Sequence, residues 1–343
     1  MLFPLVRPLL FRMDAEKAHR LVIGMLARLP AASSALTSPL LASTVAGVAF
    51  PNPVGLAPGF DKDAEVAAQI FRFGFGFAEI GTLTPLPQAG NDKPRLFRLV
   101  EDEAVINRMG FNNGGQKAAS ARISAMPRLA GPLGVNIGAN KDSVDRIADY
   151  AAGVRAMEPM ADYLTVNISS PNTPGLRALQ DKAALDDLLC AVRDARCGAT
   201  PVFLKVAPDL EPADIDDIVA VSLDRGIDAL IVSNTTIGRP SLRSPYGQEA
   251  GGLSGAPLAP LARQRLKDFR SASGGAIPLI AVGGIATGAD AYERIRAGAS
   301  LVQLYSAMVF LGPGLAAKIA RDLEYLLRAD GLANIAEAIG VDV

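Results

Sequence analysis

The sequence predicts an α/β protein, a (β/α)8 barrel with an N-terminal amphipathic helical extension. Three observations predict it. From about residue 54 onward, short apolar runs alternate with longer amphipathic stretches, and eight such runs occur. Each run is nearly continuous in apolar residues, as parallel strands covered on both faces require. No G-x-G-x-x-G fingerprint follows any of them, which leaves a doubly wound open sheet as the runner-up architecture.

Residues 1–45 precede the barrel. Leu2, Leu5, Val6, Leu9, Leu10 and Met13 fall at helical spacing, and so do Ala18, Leu21, Val22, Met25, Leu26 and Leu29. Two amphipathic helices are therefore expected. Pro4 and Pro8 blur the start of the first, since proline prefers a first turn. No apolar run approaches the roughly 18 residues that a membrane span needs. Asp14, Glu16, Lys17, His19 and Arg20 interrupt what would otherwise resemble the apolar region of a secretory signal.

The expected strands are residues 53–58, 75–82, 132–138, 162–169, 201–206, 229–235, 278–284 and 300–306. Helical stretches lie between them. Ser143 is placed to cap one; Pro212 and Gly226 bracket the next, and Thr287 and Gly298 bracket a third. Residues 83–131 are long for a single connection and hold "NDKPRLFRLVEDEAVINRMGFNNGG".

Composition narrows the chemistry. Half of the 343 residues are apolar, which supports a large core. Against 34 basic side chains stand 35 acidic ones, a net charge of −1 that offers no global attraction to nucleic acid. Cys190 and Cys197 fit neither a disulfide framework nor a zinc site, and a reducing compartment is expected. The single histidine, His19, excludes multi-histidine metal sites, so metal-free chemistry is expected.

In a barrel of this kind the site lies at the C-terminal ends of the strands. Those ends carry Lys62, Thr82, Asn136, then Asn167, Ser170 and Asn172, then Lys205, Asn234 and Thr235, and finally Tyr305 and Ser306. Cations, amides and hydroxyls dominate, with Asp61 and Asp63 almost the only carboxylates. Such a lining suits a planar, anionic, hydrogen-bonding ligand. "AVGGIATGAD" sets two glycines before a helix start, and "GGLSGAPL" adds Gly255; together they suit a phosphate held by backbone N–H groups. FMN is the natural candidate, because no separate dinucleotide-binding domain is visible. Taken singly, each glycine cluster also reads as a tight turn, Ser170 as a turn residue and His19 as an ordinary packed histidine.

"GLAPGFDKD", "INRMGFNN", "NISSPNTPGLR", "FLKVAPDL", "SNTT", "GGLSGAPL", "VGGI" and "LYSAMVF" occur in this order. In order and context they resemble the dihydroorotate dehydrogenases, most closely the quinone-dependent, class 2 branch. The resemblance covers nearly the whole chain. It implies oxidation of (S)-dihydroorotate to orotate in pyrimidine (UMP) synthesis, with one FMN per chain, no metal and a membrane quinone as acceptor. Ser170 would be the base at C5, while hydride passes from C6 to N5 of FMN.

Carried over position by position, Lys62, Asn107, Arg108, Met109, Gly110 and Phe111 would hold dihydroorotate, joined by Asn167, Asn172, Asn234 and Thr235. Flavin contacts would come from Pro58, Gly59, Phe60, Asp61, Lys62 and Thr82. Asn136, Asn167, Lys205, Ser233, Gly255, Gly284, Tyr305 and Ser306 would complete them. Pro58 departs from the alanine common there, so any contact uses its carbonyl or its surface. Residues 1–40 would form a membrane-associating extension with a quinone tunnel lined by His19, Arg98 and Tyr305; residues 41–343 would form the catalytic barrel. A peripheral monomer at the cytoplasmic face of the inner membrane is implied. The alternatives are a soluble fumarate-linked dehydrogenase, which would carry cysteine at the base position, and a non-catalytic flavin- or phosphate-binding barrel.

Overall fold

Eight parallel strands close into a barrel, each pairing with its neighbour in the chain and the last with the first. They are β1 (Val54–Leu56), β2 (Phe77–Leu83), β3 (Leu133–Ile137) and β4 (Tyr163–Asn167), then β5 (Val202–Val206), β6 (Ala229–Val232), β7 (Leu279–Val282) and β8 (Ala299–Leu304). The description comes from a computed structural model and covers residues 3–343; Leu2 of the first helical spacing lies outside it. All eight expected strands are present, and nearly every residue in them is buried.

Helices wrap the barrel where the amphipathic stretches predict them. Glu211 and Asp214 form a capping box around Pro212, and Thr287 and Asp290 form another. Gly226 and Gly298 close these helices with φ of +69° and +106°, the left-handed region where a side chain would be strained. One cap differs from expectation. The third-strand helix begins at Arg146, and Asp145 rather than Ser143 caps it by accepting the Ala148 N–H at 2.9 Å. Ser143 sits in the preceding turn, where its N–H meets the Asn140 carbonyl.

The N-terminal end of the barrel is sealed. A hairpin of Ser43–Val45 and Val48–Phe50 brings Phe50 against Phe77, with ring centroids 5.0 Å apart. Tyr163 stacks on Phe203 at 4.5 Å beside them. The opposite end carries a feature the sequence pattern did not suggest. Within residues 83–131, Leu96–Leu99 and Ala104–Asn107 pair antiparallel, and Gly252–Gly255 joins them as a third strand. This small sheet has its own core of Phe97, Leu99, Ala104, Ile106 and Leu253.

Helices α1 (Phe3–Arg12) and α2 (Ala15–Leu26) lie across that open end. Pro8 falls inside α1, and Asp14 caps α2 by accepting the Lys17 N–H. The sheet holds both. Arg95 donates to both carboxylate oxygens of Glu16 at 3.0 and 2.8 Å; this pairing holds the Glu16 carboxyl below the ordinary carboxylate range. Arg98 donates to the Leu10 and Phe11 carbonyls in the last turn of α1 and to the Met13 carbonyl just past it, where a cation complements the helix dipole. On their outer faces Leu5, Leu9 and Met25 are 74%, 63% and 57% exposed. Among the described residues no helix is long and apolar enough to cross a membrane. The segment after α2 packs on the barrel through Ala32, Ala35 and Leu41.

Candidate active site

The strand ends and the two N-terminal helices enclose one continuous cavity of about 450 Å³, within the range of small-molecule sites. Its floor is a layer of inward-facing polar side chains. Thr82 donates to Asn136 Oδ1 at 2.6 Å, and Asn167 Nδ2 reaches Thr82 Oγ1 at 3.0 Å and Asn136 Oδ1 at 3.1 Å. Asn136 Nδ2 in turn donates at 2.8 Å to Glu79, a fully buried carboxylate at the barrel centre. Gln303 Nε2 at 2.6 Å and the Tyr163 hydroxyl at 3.2 Å supply further donors to Glu79. Lys205, next to last in β5, lies on the same floor and is 4% exposed. Burial lowers its pKa, and the nearby charge of Glu79 works in the opposite direction.

One wall is the loop after β4. Its two serines turn different ways. Ser169 Oγ donates to Asn167 Oδ1 at 2.9 Å and accepts from Asn234 at 2.9 Å, so it locks the loop. Ser170 faces the cavity, and its hydroxyl oxygen accepts the Asn172 N–H at 3.2 Å. No imidazole or carboxylate hydrogen-bonds to Ser170 among the described residues. Asn172 reaches across to Asn107 at 3.2 Å, which joins this loop to the small sheet.

Lys62 enters from the loop after β1, its ammonium 2.9 Å from the Gly59 carbonyl. Burial brings its pKa down to about 8. On α2, His19 Nε2 lies 2.8 Å from the Phe60 carbonyl. A carbonyl only accepts, so Nε2 carries the proton. Burial, reinforced by the charge of Lys62, pushes the His19 pKa to about 4; the ring is neutral at neutral pH. Tyr305 and Phe60 pack around it at centroid distances of 6.5 and 5.5 Å. Beyond them the lining turns apolar, through Val22, Leu26, Phe11 and Phe310.

The far end is a glycine cradle. Gly255, Gly283 and Gly284 line it with φ of +98°, +112° and +67°. A Cβ on Gly255 would overlap the Glu103 backbone, and one on Gly284 would overlap Ala259. Ser306 lies beside the cradle, 2.8 Å from Ser254.

Most residues expected at the site face this cavity: Pro58, Gly59, Phe60, Lys62, Thr82, Asn107, Met109, Gly110 and Phe111 on one side. Asn167, Ser170, Asn172, Lys205, Ser233, Asn234, Thr235, Gly255, Gly284, Tyr305 and Ser306 face it on the other, with His19 and Arg98 toward α1. Three do not line it. Asn136 lies just beneath the floor. The Asp61 carboxylate accepts the Glu65 and Val66 N–H groups at 2.8 Å each and borders a smaller neighbouring cavity. Arg108 points outward, bonded to Glu249 at 2.7 Å and lying over the Phe97 ring.

The dihydroorotate dehydrogenase family profile matches residues 40–327. The dihydroorotate dehydrogenase (quinone) of Sphingopyxis alaskensis is 68% identical over 342 residues, spanning 98% of this chain and 96% of that protein. That of Novosphingobium aromaticivorans is 62% identical, over 98% and 99% of the two chains. The crystal structure of DHODH from Eimeria tenella in complex with ferulenol superposes with a TM-score of 0.91, at 41% identity and 95% of each chain. The chain belongs to the dihydroorotate dehydrogenase family.

Within this dihydroorotate dehydrogenase fold, three residues without an expected role hold the site together. Glu79 and Gln303 build the floor. Arg177 donates to the Ser169 carbonyl at 3.0 Å and the Thr235 carbonyl at 2.9 Å while pairing with Asp209 at 2.8 Å; it ties the β4 and β6 loops together. A signal existed for Glu79, a lone carboxylate inside the apolar run "FGFAEIGT". Glu79→Leu strands the donors of Asn136, Gln303 and Tyr163 in a water-poor barrel. It should lower unfolding free energy by about 3 kcal/mol or more. Urea titration followed by circular dichroism measures this, and a loss under about 1 kcal/mol would mean that water reaches the floor.

Proposed function

We propose that this protein oxidises (S)-dihydroorotate to orotate in pyrimidine synthesis, with FMN as its resident flavin and a membrane quinone as electron acceptor. The observation that carries the reading is Ser170, facing the cavity between the amide–lysine floor and Lys62, in a chain 68% identical to a dihydroorotate dehydrogenase (quinone).

The donor set fits FMN. Gly255, Gly283 and Gly284 line the far end with positive-φ backbone that side chains rarely adopt, and the Gly284 N–H donates to no described residue, which suits a phosphate held by backbone N–H groups. Thr82 and Asn167 offer hydroxyl and amide edges to a flavin ring, with Asn136 holding both from beneath, and the ammonium of Lys205 suits negative charge at its N1–C2 edge. Pro58, Gly59, Phe60, Ser233, Tyr305 and Ser306 supply walls, with Pro58 limited to its carbonyl and ring surface. Asp61 contributes through its backbone, since its carboxylate is engaged by its own turn. The chemistry FMN supplies is acceptance of the C6 hydride at N5 and transfer of two electrons to quinone.

Lys62 pairs with the dihydroorotate carboxylate, while Asn107, Asn167, Asn172, Asn234 and Thr235 read the cyclic diamide. Met109, Gly110 and Phe111 pack over it, and Arg108 acts through the backbone. Ser170 Oγ takes the C5 proton. A free hydroxyl is a poor base, and the Asn172 N–H that it accepts favours the alkoxide-like state. Its own proton leaves to water. The apolar passage past His19, Tyr305 and Arg98 admits the quinone ring. Helices α1 and α2, with Leu5, Leu9 and Met25 outward, lie in a membrane interface without spanning it. On this reading the protein is a peripheral monomer at the cytoplasmic face of the inner membrane. Serine at the base position and the N-terminal helical extension disfavour the alternative, a soluble fumarate-linked enzyme.

Ser170→Ala should retain FMN yet slow anaerobic bleaching of the flavin by dihydroorotate about 10²- to 10⁴-fold; unchanged stopped-flow traces would assign the base elsewhere. Lys62 is cationic below about pH 8 and neutral above it. Orotate affinity should therefore fall as pH rises through that value, in a titration of the flavin absorbance. Lys62→Met should bind weakly with no such dependence, and a dependence that survives the substitution would exclude Lys62 as its source. Removing residues 1–13, which carry α1 but no buried side chain of that helix, should abolish quinone reduction and spare flavin reduction. Equal loss of both half-reactions would argue against a tunnel beneath α1.

A further inference from the structure

Arg294 is 1% exposed, on the helix Gly288–Arg296 that follows β7. Its Nη2 donates to the Ala259 carbonyl at 3.0 Å and the Gly283 carbonyl at 3.2 Å. Its Nη1 has no partner among the described residues. No carboxylate pairs with it there either. Asp290 accepts the Ala286 and Thr287 N–H groups, and Glu293 pairs with Arg263 at 2.9 Å. A buried cation with neither counter-ion nor full hydrogen bonding is costly. Burial lowers the Arg294 pKa only to about 10, so the charge persists at neutral pH.

The place of this charge gives it a use. Its two carbonyl acceptors belong to the two walls of the glycine cradle, and those walls touch where Gly284 packs on Ala259. Carbonyl and N–H point in opposite directions across a trans peptide. With the Gly283 carbonyl turned down to Arg294, the Gly284 N–H turns up toward the cradle. That N–H donates to no described residue, and Gly284 lines the cavity.

We propose that Arg294 is the buried counter-charge of the flavin phosphate. From beneath the cradle it aims the Gly284 N–H at that phosphate and supplies positive potential that the surrounding carboxylates do not cancel. It is a positioning residue, touching neither flavin nor substrate, and the inference rests on the FMN reading above.

Riboflavin, which lacks only the phosphate, isolates the effect. Holoenzyme dialysed against mixtures of FMN and riboflavin yields an exchange constant, the preference for FMN over riboflavin. Arg294→Gln should lower that preference roughly 10- to 100-fold, and Arg294→Lys, which keeps the charge, should restore it to within about threefold of wild type. A merely structural arginine would weaken both flavins alike and leave the ratio unmoved, and that result would overturn the inference. So would an equal fall in the lysine variant. A wild-type protein that does not prefer FMN would instead overturn the cofactor reading on which the inference rests. A second measurement needs no variant. The 31P resonance of FMN in the wild-type holoenzyme should stay that of a dianion down to pH ~5, below the ordinary second phosphate pKa of about 6. A titration midpoint at or above that value would also overturn the assignment.

Discussion

The structure depends on one buried carboxylate satisfying donors from three other strands. Closing eight strands into a barrel leaves no edge, and side chains that point inward near the mouth cannot turn away to solvent. Glu79 on β2 meets Asn136 on β3, Tyr163 on β4 and Gln303 on β8. Because the Asn136 amide spends its N–H on Glu79, its oxygen must face Thr82 and Asn167. Asn167 then presents its own oxygen to Ser169, which receives Asn234. The donor and acceptor polarity of the floor thus propagates outward from a single anion.

Against that anion the site sets its cations. Lys62, Lys205 and Arg294 are placed at the loop after β1, the floor and beneath the glycine cradle respectively. All three have lowered pKa values for the same reason, loss of water. Of the two carboxylates that flank Lys62 in sequence, Asp61 is occupied by its own turn and Asp63 accepts the Gly114 N–H. The balance is a pocket short of negative charge, which is the electrostatic condition for holding anionic ligands.

Strands and caps were legible because their signals are local. Eight apolar runs, the Thr287 box and the Pro212 start each need only a few consecutive residues. The small sheet was not legible, since its third strand, Gly252–Gly255, lies about 145 residues from its partner and contains two glycines. Strand-end reasoning alone reached Lys62, Ser170 and Lys205. It did not reach Arg177 or Arg294, whose roles arise from carbonyls brought together by the fold. The Ser143 cap failed by two residues, the usual margin at a helix boundary.

His19 shows what the arrangement means for traffic. A single imidazole kept neutral stands where a polar chamber changes into an apolar passage. Ionic species lose their hydration on that passage, where Arg98 is already spent on helix carbonyls, whereas a greasy ring loses little. The cavity is therefore a junction between two environments, one polar and rich in hydrogen-bonding groups and the other greasy, and a molecule entering it is sorted by its own polarity.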